Sequence, residues 1–115
     1  MPPRQRDELL QGTLDMLVLK ALQLGPMHGW GITELLAQGS EDVLRIGQGS
    51  LYPALYRLER QQFVTSDWSV TENNRRARYY DLTAAGRKQL AAERAAWQRA
   101  SAVVNSILEW AGAVP

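Results

Sequence analysis

The chain has 115 residues, 45% of them hydrophobic and 22% charged, enough for one small core and typical of a soluble globular domain. It has no cysteine, which excludes a disulfide framework and a thiolate zinc site, and its one histidine, His28, assembles no metal centre alone. The net charge of +1 conceals an asymmetry, with −3 over residues 1–44 and +5 over residues 45–99, so the second half is the half suited to a polyanion.

Residues 8–24, ELLQGTLDMLVLKALQL, set Leu10, Leu14, Leu17, Ala21 and Leu24 at helical spacing, with Val18 and Leu22 widening the stripe. A helix apolar over so much of its circumference is expected to bury more than one side, the second against another subunit through Leu14, Leu17 and Val18. Gly25-Pro26 stops it. Residues 28–38, HGWGITELLAQ, predict a shorter helix that starts at His28 and buries Ile32, Leu35 and Leu36. Gly39-Ser40 closes that helix, and residues 41–49 form a connection.

A third helix is expected from Ser50, whose hydroxyl suits a cap, with Pro53 in the first turn where its missing donor costs nothing. Leu51, Leu55 and Leu58 then face inward, which leaves Tyr52, Tyr56, Arg57 and Arg60 toward the sides and outside. From Phe63 the period changes to two. Val64, Trp68 and Val70 alternate with Thr65, Asp67 and Ser69, the pattern of a half-buried strand. Asn73-Asn74 suits a hairpin tip, and the return strand puts Arg76, Arg78, Tyr80 and Leu82 on one side and Arg75, Ala77, Tyr79 and Asp81 on the other. Thr83 caps a last helix that runs to about Trp110, roughly 40 Å at 1.5 Å per residue. On it Leu90, Trp97, Val104 and Ala111 recur every seven residues, and Ala100 and Ile107 complete the seam. Leu90, Trp97, Val104, Ile107 and Leu108 are the dimerisation residues expected there.

The order predicts a mainly α fold with a small β-hairpin: a winged helix-turn-helix over residues 8–82 and a dimerisation helix over 83–111 that packs with the first helix. The blocks GTLDMLVLKAL at 12–22, GPMHGWGI at 25–32, GQGSLYPALYRLE at 47–59 and ENNRRARYYDLTAAGRKQL at 72–90 cover nearly the whole chain. In this order and spacing they resemble the PadR family of bacterial transcriptional regulators. The single helix after the wing is similar to the compact subfamily, and the second and fourth blocks look most like its acidobacterial-type subgroup. The resemblance implies a dimeric repressor on an inverted-repeat operator, with release in some members by small aromatic or phenolic effectors. The chain departs from the common pattern at Trp30, where Tyr is usual, and at Tyr56, where His is frequent, so no operator sequence transfers.

A helix shaped for the major groove beside a basic ribbon points to double-stranded DNA. The expected contacts are Ser50, Tyr52, Pro53, Tyr56, Arg57, Asn74, Arg75, Arg76 and Arg78. Tyr80, sharing a side with Leu82, is expected in the core, and Tyr79 is open between wing support and phosphate contact. Trp97 is open between a dimer knob and a flat wall of an effector pocket between subunits. Asp67 and Asp81 bring no nucleophile, oxyanion donor or pocket with them, so no catalytic site, cofactor or metal is expected. MPPRQRDELL lacks the apolar run of a secretion signal and no stretch reaches membrane-spanning length, so a cytoplasmic protein with no membrane partner is expected. The competing reading is a winged-helix module that binds proteins and not DNA, for which Arg75–Arg78 would have no use.

Overall fold

The computed structural model describes the backbone of residues 3–114 and the side chains of residues 13–114. Helix α1 (Pro3–Gln23) leads into a two-residue strand β1 (Met27–His28) and helix α2 (Gly29–Gly39). Helix α3 (Gln48–Arg60), the hairpin β2 (Val64–Val70) and β3 (Arg76–Leu82), and the long helix α4 (Ala84–Glu109) complete the order. This is the winged helix-turn-helix that the periodicities predict, with an extra strand.

The centre of the core comes from α1. Leu14, Val18, Leu19, Ala21 and Leu22 are all buried within the single chain. The expectation that Leu14 and Val18 face a second subunit is therefore corrected: their apolar surface is used up inside this one, and Leu17 is half-buried against the same core. The side chain of Leu10 lies outside the described residues. Leu24, assigned to the same stripe, is exposed because the helix has already ended. Gly25 adopts φ 150°, a region that L side chains rarely enter, so the chain turns there before Pro26.

Residues Met27 and His28 form the strand that periodicity did not show. They pair antiparallel with β3, Met27 opposite Tyr80 and His28 opposite Tyr79, giving a sheet of order β1-β3-β2. His28 is also the N-cap of α2, its Nδ1 accepting a hydrogen bond from the Gly31 N–H at 3.0 Å. That agrees with the helix-start role read from sequence.

Helix α3 begins earlier than Ser50. Gly47 is its N-cap, with no side-chain cap bond, and Ser50 is the third helical residue. Pro53 consequently lies beyond the first turn, where its missing N–H deprives the Gly49 carbonyl of a helical partner. Leu51, Leu55 and Leu58 face the core as expected, joined by Ala54. The helix ends in a Schellman turn: the N–H of Phe63 donates to the Leu58 carbonyl at 2.9 Å and that of Gln62, at φ 65°, to Glu59 at 3.0 Å.

At the base of the hairpin, Val64 lies opposite Leu82 and both are buried with Tyr80. The expected half-burial of the whole of β2 does not hold, since Trp68 and Val70 are exposed. The hairpin is longer than the core beneath it. Asn74 takes φ 58° at the tip, as predicted. Thr83 caps α4, accepting from Gly86 N–H at 2.9 Å and donating to the Gln62 carbonyl at 2.7 Å. Helix α4 packs on α1 near its own start, and Leu90 is its last buried residue.

Candidate nucleic-acid interface

The outward face of α3 carries Tyr52, Tyr56, Arg57 and Arg60, because the leucines at helical spacing take the inward positions. Tyr52 is 43% exposed, and its hydroxyl rests on the backbone of Gly29, where an added Cβ would come within 2.6 Å. Tyr56 stands further out, with the Arg60 guanidinium 5.7 Å from its ring centroid. Arg57 reaches back to α1, donating to Asp15 at 2.8 Å. Ser50 and Pro53 are exposed on the first turns.

Arg78 of the wing is a tie to α3. Its Nε donates to Ser66 Oγ at 2.7 Å and its Nη2 to Glu59 at 3.4 Å, while Ser66 also donates to Glu59 at 2.7 Å. Arg75 and Arg76 are exposed and form no ion pair among the described residues. The Arg76 guanidinium lies 5.2 Å from the centroid of Trp68. Asn74 is exposed at the turn, which the Thr71 N–H closes by donating to the Arg75 carbonyl at 2.7 Å.

Between α3 and the sheet lies a cleft of about 890 Å³ lined by Tyr52, Pro53, Tyr56, Glu59, Arg60, Arg78 and Tyr80. Tyr80 belongs to the core, as expected, and burial pushes its phenol above the ordinary value; Arg78 opposes the shift, while Glu59 and Tyr52 add to it. Four sequence-predicted contacts (Tyr52, Pro53, Tyr56 and Arg78) thus meet at one cleft, with Arg76 further along the strand that carries Arg78 and Arg75 in the turn before it. Arg57 is turned toward α1. Glu59 and Trp68 were missed: Glu59 was covered by its helical neighbours, and Trp68 was assigned to the strand's buried side.

Tyr79 packs edge-on against His28 at 5.2 Å between centroids, which makes it a support of β1. Among the described residues no cluster of His, Asp or Glu is placed to hold a metal ion, and no helix is long and apolar enough to cross a membrane. Along α4, Trp97, Val104, Ile107 and Leu108 are exposed, as are Val103 and, just past the helix end, Trp110, two residues not among those expected to pair the subunits. Leu90, by contrast, is buried within the chain and is a core residue.

Residues 18–92 match the model of the transcriptional regulator PadR-like family. A PadR family transcriptional regulator from Eggerthella lenta is 32% identical, with a TM-score of 0.79 covering 93% of this chain and 91% of that one. A transcriptional regulator from Clostridium thermocellum superposes with a TM-score of 0.81 at 24% identity, over 89% of this chain and 99% of that one, a likeness of fold. An uncharacterized 37.1 kDa protein in transposon Tn4556 of Streptomyces fradiae is 46% identical over 78 residues, 68% of this chain. The chain spans only 21% of that protein's length.

Proposed function

The chain belongs to the PadR-like family of transcriptional regulators, and from that premise we propose that it acts as a homodimeric repressor on an inverted-repeat operator in double-stranded DNA. The observation that carries the reading is the cleft between α3 and the wing, with two exposed tyrosines on one wall and Arg60 and Arg78 beside them. A duplex laid there puts α3 in the major groove, where Tyr52 and Tyr56 reach base edges and Pro53 and Ser50 approach the backbone. The first turn of α3 has no side-chain cap, and while the N–H groups of Ser50 and Leu51 donate to the Gly47 carbonyl, those of Gln48 and Gly49 are open to a phosphate. Arg75 and Arg76 hold the next stretch of backbone, with Asn74 shaping the turn that presents them. Arg57 joins them only by leaving Asp15.

In this reading residues 8–82 bind DNA and residues 83–111 pair the subunits. The pairing surface is Trp97, Val104, Ile107 and Leu108. A flat aromatic effector would sit against Trp97 between the two α4 helices, and it would release DNA only by favouring a dimer with misplaced recognition helices. A protein that works on promoters is placed in the cytoplasm.

The test is selection from a random duplex library, followed by affinity measured against salt. The expected product is an inverted repeat whose binding weakens steeply with salt. Tyr52→Ala should flatten discrimination between that site and random duplex, whereas Arg76→Ala should weaken both and lower the salt slope by about one. Failure to bind any duplex would leave the protein-binding module as the better account.

A further inference from the structure

Of the expected DNA contacts, Arg57 is the one that the fold turns back toward α1. Its guanidinium donates to Asp15 at 2.8 Å, and the pair stands at the rim, with the Arg57 side chain 46% and the Asp15 side chain 28% exposed. Helix α1 packs on both α3 and α4. On the α4 side stands Glu93, half-buried, with one carboxylate oxygen out of reach of water and without a hydrogen-bond partner. The Asp15 charge acts on Glu93 across the helix pair, and Gln89, one turn earlier on α4, bonds it. One cation on the outward face of α3 therefore holds the nearer of two carboxylates, and the second has no cation of its own.

The guanidinium decides how these carboxylates titrate. With Arg57 in place the three groups carry a single net negative charge; without it they carry two. Like charges close together in a partly dry site do not both stay ionised, and one proton is then shared by the pair. Other charged groups on the elements packed against α4 are engaged elsewhere among the described residues. Lys20 of α1 bonds Gln23, and on β3 Arg76 lies over Trp68, Arg78 bonds Glu59 and Asp81 accepts from the Leu82 N–H. A DNA phosphate competes directly with Asp15, because it offers the guanidinium fork the same charge and the same paired oxygens as a carboxylate.

We propose that Asp15 and Glu93 form a proton-coupled latch on Arg57: the guanidinium rests on Asp15 in the free chain and moves to a DNA phosphate on binding, and the carboxylate pair it leaves takes up a proton from solvent. This rests on the DNA reading above. The sign follows from linkage. The complex holds more protons than the free chain, so binding tightens as pH falls and weakens as pH rises. Burial and the Asp15 charge already raise the proton affinity of Glu93 in the free chain, which puts the working range above pH 4.5.

The experiment takes the duplex from the selection above and measures its affinity from about pH 5 to about pH 7.5 at fixed ionic strength, a range that spans the rise expected for Glu93. Calorimetry in two buffers of unlike ionisation heat counts the protons taken up. On acidification the full chain should gain affinity about threefold per pH unit more steeply than Glu93→Gln, with an extra uptake of about half a proton. Glu93→Gln should bind at neutral pH about as tightly as the full chain does at the acid limit. Asp15→Asn frees Arg57, so it should bind about twofold to fivefold more tightly at neutral pH, the worth of a partly exposed ion pair, and lack the extra uptake. Arg57→Gln should bind more weakly and also lack it. His28 is present in every variant, so its protonation cancels from the comparison. Equal proton uptake by the full chain and Glu93→Gln overturns the latch and leaves the DNA reading standing. Weaker binding by Asp15→Asn overturns it too, since Asp15 would then aim Arg57 at DNA and not withhold it. If the full chain binds no duplex at all, the DNA reading falls and the latch with it.

Discussion

Tyr52 and Gly29 make the closest fit near the cleft, and it separates positioning from stability. A methyl group at Gly29 would lie 2.6 Å from the Tyr52 hydroxyl oxygen and 3.0 Å from the ring carbon that bears it, so the ring must swing away from Gly29. Because the obstacle is the end of a side chain, the backbone has no need to move. Gly29→Ala should melt within a few degrees of the parent. Its discrimination between operator and random duplex should nevertheless fall, which parallel melts and competition binding would show. Equal losses of stability and binding would mean that Gly29 supports the fold and not Tyr52. Glu93 is the other residue with a clear consequence. One of its carboxylate oxygens is buried without a hydrogen-bond partner. Burial pushes its pKa above the ordinary 4.5, the Asp15 charge adds to the rise, and a hydrogen bond with Gln89 opposes it. The folded chain thus binds this proton more readily than the unfolded chain. The group's contribution is most favourable below pH 4.5, declines as pH rises toward the folded value, and is lost above it. Glu93→Gln removes the charge while keeping the shape, so it should melt higher than the parent near neutrality, with the gap closing toward pH 4. A gap that ignores pH would rule out ionisation as its source.

Gly86 marks the junction of two elements, where α4 starts against the end of α3. A Cβ there would meet the Phe63 carbonyl oxygen at 2.1 Å and Leu82 Cδ1 at 2.8 Å. That carbonyl already accepts from Thr83 N–H at 3.0 Å, so it has little freedom to retreat. Gly86→Ala should destabilise by about 1–3 kcal/mol, the range for overpacking a close contact, measured by denaturant titration. A neutral result would mean that α4 can shift along its groove. The pattern of what was legible follows the same division between local and tertiary causes. Helices α2, α3 and α4 and the hairpin carry their own signals: apolar spacing, the Thr83 cap, the asparagines at the turn. Strand β1 carries none, since two residues have no period and its partner is remote in sequence. The start of α3 was misplaced because Ser50 is a good cap by type, whereas Gly47 caps by backbone conformation alone. Trp68 and Val70 alternate correctly for a half-buried strand. Their exposure depends on how far the ribbon outruns the core, which periodicity does not measure. Four of the seven residues lining the cleft, Tyr52, Pro53, Tyr56 and Arg78, were among the contacts expected from sequence, because they stand on two well-signalled elements. The Arg57–Asp15 and Arg78–Glu59 pairs were not, because each joins residues whose proximity only the packed fold creates.

At the scale of the whole molecule the chain is elongated, 64 × 33 × 21 Å, and α4 accounts for its reach. No residue of this 26-residue helix beyond Leu90 is buried. Trp97, Val104, Ile107 and Leu108 nonetheless form an apolar face, with Val103 also exposed on the helix and Trp110 exposed just past its end. A single chain gains nothing from holding so much apolar surface in water, and a heptad spacing is what a second helix can cover. Leu14 and Val18 take no part in the proposed pairing, since the subunit buries them itself, so the proposed seam uses the outer half of α4. Val104→Asp combined with Ile107→Asp places two charges on that seam at positions 55% and 66% exposed in the single chain. The subunit's own core is untouched, and its secondary structure should survive. Sedimentation should nevertheless change from dimer to monomer at micromolar concentration. Binding to a single half-site should be nearly unaffected, whereas affinity for the full inverted repeat should fall by about 100-fold or more, because the second half-site no longer gains from the first. The comparison of half-site with full repeat isolates pairing from contact. If the double variant sediments as a dimer and keeps its preference for the repeat, the subunits meet elsewhere and the apolar face of α4 needs another occupant.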